Sequence, residues 1–432
     1  MAAVRPFRAV LYARSTGTDI THRTAPPYDV ISPADRAALL AADSRNVVAL
    51  ELPEGADDPA SPDYRYANAG RTWRSWRESG VLMYDASPSI YVLEQRYDLG
   101  KRVVRRRAFV AAVGLEPFSA GIVLPHERTL PKALADRLEI TRSCSANLSP
   151  VFGLFSDPAG ETDSTFEMAT RGPVLVESRD DDGVASRVWA IRDADIVAGI
   201  TDTFAARHLF IADGHHRYTT ALAYRDERRA ADASAGVTPR DPAYDAVMMA
   251  LVNMDDPDLV VLPTHRVADA TGPFDPEAFW TGLAPYFDVE DAPTGHPAVR
   301  LSSARRPTFI VKTREGTVRI ASLRPDVDPV AAIPGPMSPA WKSLDVAVLQ
   351  ELVLSPLLGI HPDRPETLER LTFVKDAHEA LEMVGTRDVA FIMNATRMEQ
   401  LRDVALGGET MPQKSTYFYP KLPSGLLFRP LD

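Results

Sequence analysis

The 432-residue sequence contains a single cysteine, Cys144, and no long apolar run. One cysteine excludes an internal disulfide and a cysteine-rich zinc site. No stretch stays apolar over the roughly 20 residues that a membrane-spanning helix needs, so we expect no membrane partner. The first residues, Met-Ala-Ala-Val-Arg-Pro-Phe-Arg, lack the apolar core of a secretory signal, and the expected location is the cytoplasm.

Acidic residues outnumber basic ones, 59 to 48. The net charge of -11 argues against a general affinity for nucleic acid, although it does not exclude a local basic site. With 45% hydrophobic and 25% charged residues the composition is that of a globular protein, and the length allows two domains or one domain with a sizeable elaboration. Nothing in the composition predicts the oligomeric state.

The most informative stretch runs from Ala206 to Ala223. Its apolar first half predicts a buried strand, and the Ala/Leu spacing of its second half predicts a helix. The junction between them has the sequence Asp213-Gly214-His215-His216-Arg217. A glycine there permits a sharp turn, and the first N–H groups of the helix attract an anion. The alternative is a helix capped by Asp213, with local hydrogen bonds and an ion pair.

A second polar stretch follows Leu124. Glu127 is a candidate general base, His126 a titratable partner, and the cations and polar groups after them suit a charged substrate with many hydrogen bonds. A metal role for His126 has little support. For Lys132, Asp136 and Arg137 the exposed face of an amphipathic helix is an equal alternative. The predicted substrate contacts are Thr129, Lys132, Arg137, Asn147 and Ser149.

Two further segments carry candidate residues. Pro26 and Pro27 stiffen the loop that presents Asp29, and a surface turn is an equally good explanation. Near the C-terminus Lys414, Ser415 and Thr416 have the donors of an anion-binding loop, and the aromatic residues 417–419 favour docking of the tail on the main site rather than exposure.

The rest of the pattern predicts an α+β protein with inserted hairpins. Hairpins are expected around Asp98–Lys101, around Asp181–Gly183 and over 308–323, and single strands over Tyr244–Met254 and Leu259–Val267. The basic residues between 101 and 107 are interpreted as a solvated hairpin end, because no aromatic residues interleave with them. We divide the chain into a core, 1–270, and a C-terminal α+β region, 271–432, whose tail packs back on the core.

The chain resembles, over essentially its whole length, a bacterial and archaeal family known as domain of unknown function 1015. The matching segments are Arg5–Phe7, Pro27–Val30, His126-Glu127, Asp136-Arg137, Ala146-Asn147, Ser149-Pro150, Ile211–Arg217, Met411-Pro412, Lys414–Thr416 and Pro420–Leu422. Gly214–Arg217 is also similar to the Gly-x-His-Arg element with which sulfiredoxin and the ParB-like free-serine kinases hold nucleotide phosphates. His215 stands where sulfiredoxin has its cysteine, which argues against sulfinic-acid reduction.

This second resemblance implies a ParB/sulfiredoxin-like nucleotide-binding core and a kinase that transfers phosphate from ATP or ADP to a hydroxylated metabolite such as free L-serine. Gly214, His215, His216 and Arg217 would hold the phosphates. Asp213 would hold Mg²⁺ or assist catalysis, and Glu127 or Asp29 would accept the hydroxyl proton. Lys132, Arg137 and Lys414 would neutralise the developing charge. The alternative is a nucleotide-sensing or ParB-like regulatory protein without turnover.

Overall fold

The structure is a computed structural model that describes residues 2–432 except 15–16, 130, 293–300 and 302. The side chain of Lys132, a predicted substrate contact, lies outside the described part of the chain. No helix among the described residues is both long enough and apolar enough to cross a bilayer.

Strands and helices alternate irregularly along the chain. The strands are β1 Val4–Arg5, β2 Val10–Tyr12, β3 Leu82–Tyr84, β4 Ile90–Leu99, β5 Arg102–Gly114, β6 Val123–Leu124, β7 Ala146–Asn147, β8 Val151–Phe155, β9 Val176–Arg179, β10 Ala185–Ile191, β11 Leu209–Asp213, β12 Ala246–Asn253, β13 Val260–Leu262, β14 His265–Ala268, β15 Phe287–Asp291, β16 Thr308–Thr313, β17 Val318–Leu323, β18 Leu371–Val374, β19 Val389–Ile392, β20 Tyr417–Tyr419 and β21 Arg429–Pro430.

The helices have more variable lengths. They are α1 Pro33–Ala42, α2 Val48–Glu51, α3 Arg65–Glu78, α4 Pro131–Cys144, α5 Asp163–Ala169, α6 Ala194–Ala205, α7 His215–Ser234, α8 Pro276–Leu283, α9 Pro329–Ala332, α10 Pro339–Lys342, α11 Asp345–Leu349, α12 Ser355–Leu358, α13 Pro365–Leu368, α14 Ala377–Glu382 and α15 Met398–Leu406.

The chain forms two compact units. Unit 1 comprises Met1–Leu259 and Pro420–Asp432, and unit 2 comprises Val260–Tyr419. The first boundary therefore falls between Leu259 and Val260, not after residue 270. Each unit contains helices and a mixed or antiparallel sheet, which confirms the α+β class.

Unit 1 is built on a nine-stranded sheet. Its order is β6-β11-β8-β12-β5-β4-β10-β9, with β1 paired to β5. The pairs β6–β11 and β8–β12 are parallel and the others are antiparallel. The two predicted hairpins of this region are confirmed as β4–β5 and β9–β10. Gly100, with φ +63°, takes the left-handed conformation that the first of these turns requires.

The basic hairpin end is more than a solvated surface. Along β5 the side chains alternate between the two faces, so that Val103 and Arg105 are exposed while Val104 and Arg106 are buried. The prediction that all of these arginines are solvated is therefore wrong for Arg106. Its guanidinium lies over the ring of Phe152, 4.7 Å from the centroid, inside unit 1.

Aromatic side chains fill the core of unit 1. Phe109 stacks on Phe166 with their ring centroids 4.2 Å apart, and α3 buries an aromatic stripe that includes Trp73. Phe428, from the C-terminal segment, packs between Trp73 and Tyr12 with centroid separations of 5.5 and 5.8 Å. Both ends of the chain thus contribute to one core.

Unit 2 contains a six-stranded antiparallel sheet in the order β15-β17-β16-β19-β14-β18. The predicted hairpin over 308–323 is confirmed as β16–β17. The single strand predicted over Leu259–Val267 is wrong, because the structure has β13 and β14 in different sheets, separated by Pro263 and Thr264. Proline has no N–H group to continue a ladder.

Candidate functional site

The predicted strand-to-helix junction is confirmed. β11 ends at Asp213, Gly214 has φ +90°, and α7 begins at His215. Glycine tolerates this left-handed conformation, whereas other residues are strained by it. A Cβ atom at Gly214 would also lie 2.9 Å from Nε of Arg217. Because Gly214 has no side chain, the Arg217 guanidinium lies directly over the turn.

Sheet pairing brings the two polar stretches together. β6 and β11 are parallel neighbours, so their carboxyl ends, which precede His126 and Gly214, meet at one edge of the sheet. β8 is antiparallel to β11 and begins at this same edge, directly after Pro150. An irregularity in the β11–β8 register between Ile211 and Asp213 is a bulge of the kind that re-aims side chains beside functional sites.

Asp213 is ionised and held by two cations. Lys421 donates from Nζ to one carboxylate oxygen at 2.5 Å, and a guanidinium nitrogen of Arg217 lies 3.8 Å from the other. Burial opposes ionisation, but Lys421 and Arg217 outweigh it and hold the pKa of Asp213 well below its usual range. A proton-accepting role for Asp213 therefore has a low driving force, whereas an electrostatic role suits it.

Arg217 connects this carboxylate to the second stretch. Its Nη1 donates to the carbonyl of Pro150, the residue before β8. The side chain is 15% exposed, so it is held on one side by the protein while part of its surface faces solvent. A guanidinium has five donors, and this one retains donor capacity after these contacts.

His126 and His215 form a buried, neutral pair. Nδ1 of His126 lies 2.6 Å from the Ile211 carbonyl, which can only accept, so Nδ1 carries the hydrogen. The His126 backbone N–H donates to Nε2 of His215 at 3.2 Å, which places the hydrogen of the neutral His215 on its Nδ1. Burial lowers the pKa of His126 to about 4, and burial followed by His126 holds the pKa of His215 well below its usual value.

Sequence reasoning did not identify two of the cations at the site. Lys421 lies in the aromatic tail run, but we predicted the anion contact at Lys414, Ser415 and Thr416 instead. The Pro420-Lys421 segment is docked by Arg106, which donates to the Pro420 carbonyl, and by Gln95, which donates to the Lys421 carbonyl. Side chains along β5 alternate between exposed and buried positions, and Arg106 falls at a buried one. This alternation is the signal in the sequence that marks Arg106 as buried.

Lys414, Ser415 and Thr416 belong to unit 2. There the Lys414 carbonyl accepts a hydrogen bond from Arg266, the Ser415 hydroxyl donates to Pro412, and the Ser415 carbonyl accepts from Thr396 at 2.6 Å. Their contribution to the phosphate site stays a prediction.

Predicted substrate contacts surround a small cavity of roughly 40 Å³ in unit 1. Arg137, Asn147 and Ser149 line it together with Arg217. The Thr220 hydroxyl, on the second turn of α7, also lines it and is buried with no hydrogen-bond partner among the residues that the structure describes. The cavity has room for a few water molecules, so these residues form a polar wall rather than a pocket the size of a metabolite.

Arg137 takes part in a buried network of hydrogen bonds and ion pairs on one wall of this cavity. It donates to Glu51 at 2.7 Å and to Asp136 at 2.6 Å, and its guanidinium stacks on Tyr28 at 3.9 Å. Because Arg137 is only 5% exposed, the alternative interpretation as an exposed helix face is wrong for this residue. Glu51, whose other oxygen accepts from Ser424, was not predicted from sequence.

The remaining candidates also belong to unit 1. Glu127 and Thr129 are half-buried in the loop after β6, and His216 is half-buried in the first turn of α7. Asp29 is exposed in a short 3₁₀ turn, Tyr28–Val30, next to the tyrosine that stacks on Arg137. Asn147 is held in β7, where its side-chain oxygen accepts from the Met248 N–H at 3.0 Å.

Metal binding at Asp213 stays a prediction. Within the described ranges no three histidine, cysteine, aspartate or glutamate side chains are grouped as a metal site. Mg²⁺ bound with a nucleotide needs only one or two protein carboxylates, since phosphate and water supply the other ligands. Such an ion would compete with Lys421 for Asp213.

Comparison with known proteins gives weak similarity to solved structures. These include a conserved hypothetical protein from Pyrococcus furiosus (14% identity, TM-score 0.33, 73% of this chain and 93% of that one). A free serine kinase in complex with AMP gives 15% identity and a TM-score of 0.32 over 72% of this chain and 86% of that one. SbnI with a C-terminal truncation, from Staphylococcus aureus, gives 10% identity and a TM-score of 0.35 over 74% and 87%.

No curated protein matches the sequence significantly. A family model described as "Protein of unknown function (DUF1015)" matches residues 4–347, most of the chain, which confirms the first resemblance. On this match the chain belongs to the DUF1015 family.

Proposed function

We propose that unit 1 is a small-molecule kinase that transfers phosphate from ATP or ADP to a hydroxylated metabolite such as free L-serine. The observation that supports this is the charge at the Gly214 turn. Three cations, Lys421, Arg217 and Arg106, act on one carboxylate, Asp213, beside the N-terminus of the 20-residue helix α7. A phosphate group would supply the negative charge that this arrangement favours.

The electrostatics of Arg106 support the same conclusion. Arg106 is only 2% exposed, its side chain bonds to the neutral partners Gln95 and Pro420, and burial lowers its pKa to about 10. A buried cation costs free energy unless a nearby anion offsets it. Asp213 is already bonded to Lys421, so an additional anion would stabilise this part of unit 1.

The proposed chemistry depends mainly on positioning and charge, as phosphoryl transfer does in general. The Gly214 turn with His215, His216 and Arg217 holds the phosphates, and Arg217 and Lys421 stabilise the charge on the transferred group. Asp213 orients these cations and takes part in holding Mg²⁺. Glu127, beside the buried His126, accepts the hydroxyl proton, and Asp29 is the second candidate for that role.

The finer fold assignment belongs to this proposal. The β11–Gly214–α7 junction has the strand–turn–helix order expected of a ParB/sulfiredoxin-like nucleotide-binding core.

The test is a turnover assay with ATP or ADP and a panel of hydroxylated metabolites that includes L-serine, read by chromatography of the nucleotides. We expect Glu127→Gln to reduce turnover by about 100-fold or more while nucleotide affinity, measured by calorimetry, stays unchanged. Glu78→Gln is the matched control, because Glu78 is exposed at the end of α3.

The other outcomes discriminate between the alternatives. Loss of turnover in Asp29→Asn but not in Glu127→Gln would move the base to Asp29. Nucleotide binding without conversion of any metabolite in the panel would instead indicate a nucleotide-sensing protein.

A further inference from the structure

Unit 2 has a cavity that the proposed kinase site does not use. It is open to solvent, has a volume of about 960 Å³ and lies where four adjacent strands, β17, β16, β19 and β14, end or begin. Leu323 ends β17, Ile392 ends β19 and His265 begins β14, and all three line the cavity. This volume is at the upper end of the range for cofactor and metabolite pockets.

The charges that line the cavity favour an anion. Arg305, Arg306 and Arg397 line it, and no ion pair within 4.0 Å involves them among the residues that the structure describes. Two of the carboxylates that line the cavity already have partners nearby. Asp326 pairs with Arg324 at 2.8 Å, and Asp328 caps α9. Three carboxylates, Asp326, Asp328 and Asp345, line the cavity, and counting Arg324 there are four guanidinium groups beside them.

One carboxylate remains at the wall of the cavity. Asp345, at the start of α11, accepts a hydrogen bond from the Asn394 side chain and is attracted by Arg397, while burial raises its pKa to about 6. Asp345 is therefore largely ionised at pH 7 and would repel an anion placed beside Arg397.

The wall also offers a fixed donor and an apolar surface. Nδ1 of His265 accepts the backbone N–H of Met393 at 3.1 Å, and burial lowers the pKa of His265 to about 4. The neutral ring therefore carries its hydrogen on Nε2, as a donor. Ile392 and Met393 are buried side chains that line the cavity next to it.

We propose that this cavity binds an organic phosphate ester no larger than a nucleotide. Arg305, Arg306 and Arg397 hold the phosphate, and Ile392 and Met393 contact the organic part. Guanidinium groups suit this role because their paired donors match the oxygens of a phosphate. The proposal does not depend on kinase activity in unit 1.

Calorimetry of the full chain with phenyl phosphate and with benzoate tests the proposal, because these two probes carry the same ring on different anions. We expect phenyl phosphate to bind more tightly than benzoate. Arg305→Gln and Arg397→Gln should each weaken phenyl phosphate binding by about tenfold, the loss typical of a charge-assisted hydrogen bond. Arg402→Gln is the matched control, because Arg402 lies on α15, the helix that begins directly after Arg397, and does not line the cavity.

A variant that should gain affinity is also needed, because misfolding explains a loss of affinity but not a gain. Asp345→Asn removes the carboxylate that repels the anion and should tighten phenyl phosphate binding severalfold. Absence of phenyl phosphate binding, equal binding of benzoate, or affinity that depends on Arg217 rather than on Arg305 and Arg397 would each overturn the proposal.

Discussion

Arg217 contacts three parts of the site at once. It covers Gly214, approaches Asp213 and donates to Pro150. This fixes the direction of the guanidinium before any ligand arrives, so little side-chain entropy is lost on binding. A lysine at this position would keep the charge but would lack the planar fork.

We therefore predict that Arg217→Lys lowers nucleotide affinity by about tenfold or more, on the order of 1.5 kcal/mol. Calorimetry with ADP measures this. Arg229→Lys, further along α7 where Arg229 pairs with Asp245, is the control and should bind normally. Unchanged affinity in a folded Arg217→Lys variant would assign Arg217 a purely structural role.

The buried histidines make stability depend on pH. His126 has a folded pKa of about 4, below its unfolded value of about 6.5, so the unfolded state binds more protons between these values. The contribution of His126 to the free energy of unfolding is fully present above about pH 6.5. It decreases by roughly 3 kcal/mol as the pH falls towards 4.

The free energy of unfolding should therefore fall less between pH 6.5 and pH 4 in His126→Leu than in the unchanged protein. At neutral pH the substitution destabilises unit 1, because it leaves the Ile211 carbonyl without its donor. Urea unfolding at a series of pH values measures the slope. His378→Gln is the control, since the His378 side chain is 80% exposed. An unchanged slope in His126→Leu would show that His126 does not account for the acid sensitivity.

At the scale of elements, the site depends on how one short segment docks on two strands. Gln95 on β4 and Arg106 on β5 bind the carbonyls of Lys421 and Pro420, and this places the Lys421 ammonium on Asp213 at the end of β11. A residue more than 200 positions away in sequence therefore belongs to the Gly214 turn.

A double-mutant cycle tests this docking. We expect Lys421→Gln to cost about 2 kcal/mol of unfolding free energy, because it removes the ammonium bonded to the partly buried Asp213 and leaves Arg217, at 3.8 Å, as its ion-pair partner. Adding Asp213→Asn should recover part of the loss, with a coupling energy of roughly 1–3 kcal/mol from urea unfolding. Strictly additive effects would mean that the ion pair contributes nothing to stability.

At the scale of the whole molecule, the chain leaves unit 1 after Leu259 and returns to it at Pro420. The returning segment contributes Phe428, which is fully buried between Trp73 and Tyr12. Unit 1 therefore requires residues from both ends of the sequence.

Phe428→Ala should destabilise unit 1 by about 3–5 kcal/mol, the usual cost of a large cavity in a core. Hydrogen exchange measured by mass spectrometry should show faster exchange in α3 and β2 than in the unchanged protein. Met83→Ala is the control, because Met83 is 57% exposed, and it should change little. Unaltered exchange in α3 would show that the returning segment is dispensable for the core.

The sequence by itself determined the local structure. The apolar run before Gly214 and the Ala/Leu spacing after it specify β11 and α7, and the turn residues specify the β4–β5 and β9–β10 hairpins. These features depend on side-chain periodicity and on glycine at positive φ, which are properties of neighbouring residues. The cluster at Asp213–Arg217 can be recognised from the sequence because its residues are neighbours in the chain.

Only the tertiary structure decided which distant residues complete the site. Parallel pairing of β6 with β11 brings His126 to His215, and antiparallel pairing with β8 brings Pro150 to Arg217. Docking of Pro420 on Arg106 and of Lys421 on Asp213 likewise depends on packing between segments far apart in the chain. Local sequence patterns do not encode such contacts, because their geometry is set by strand order and by the free energy of burying charges together.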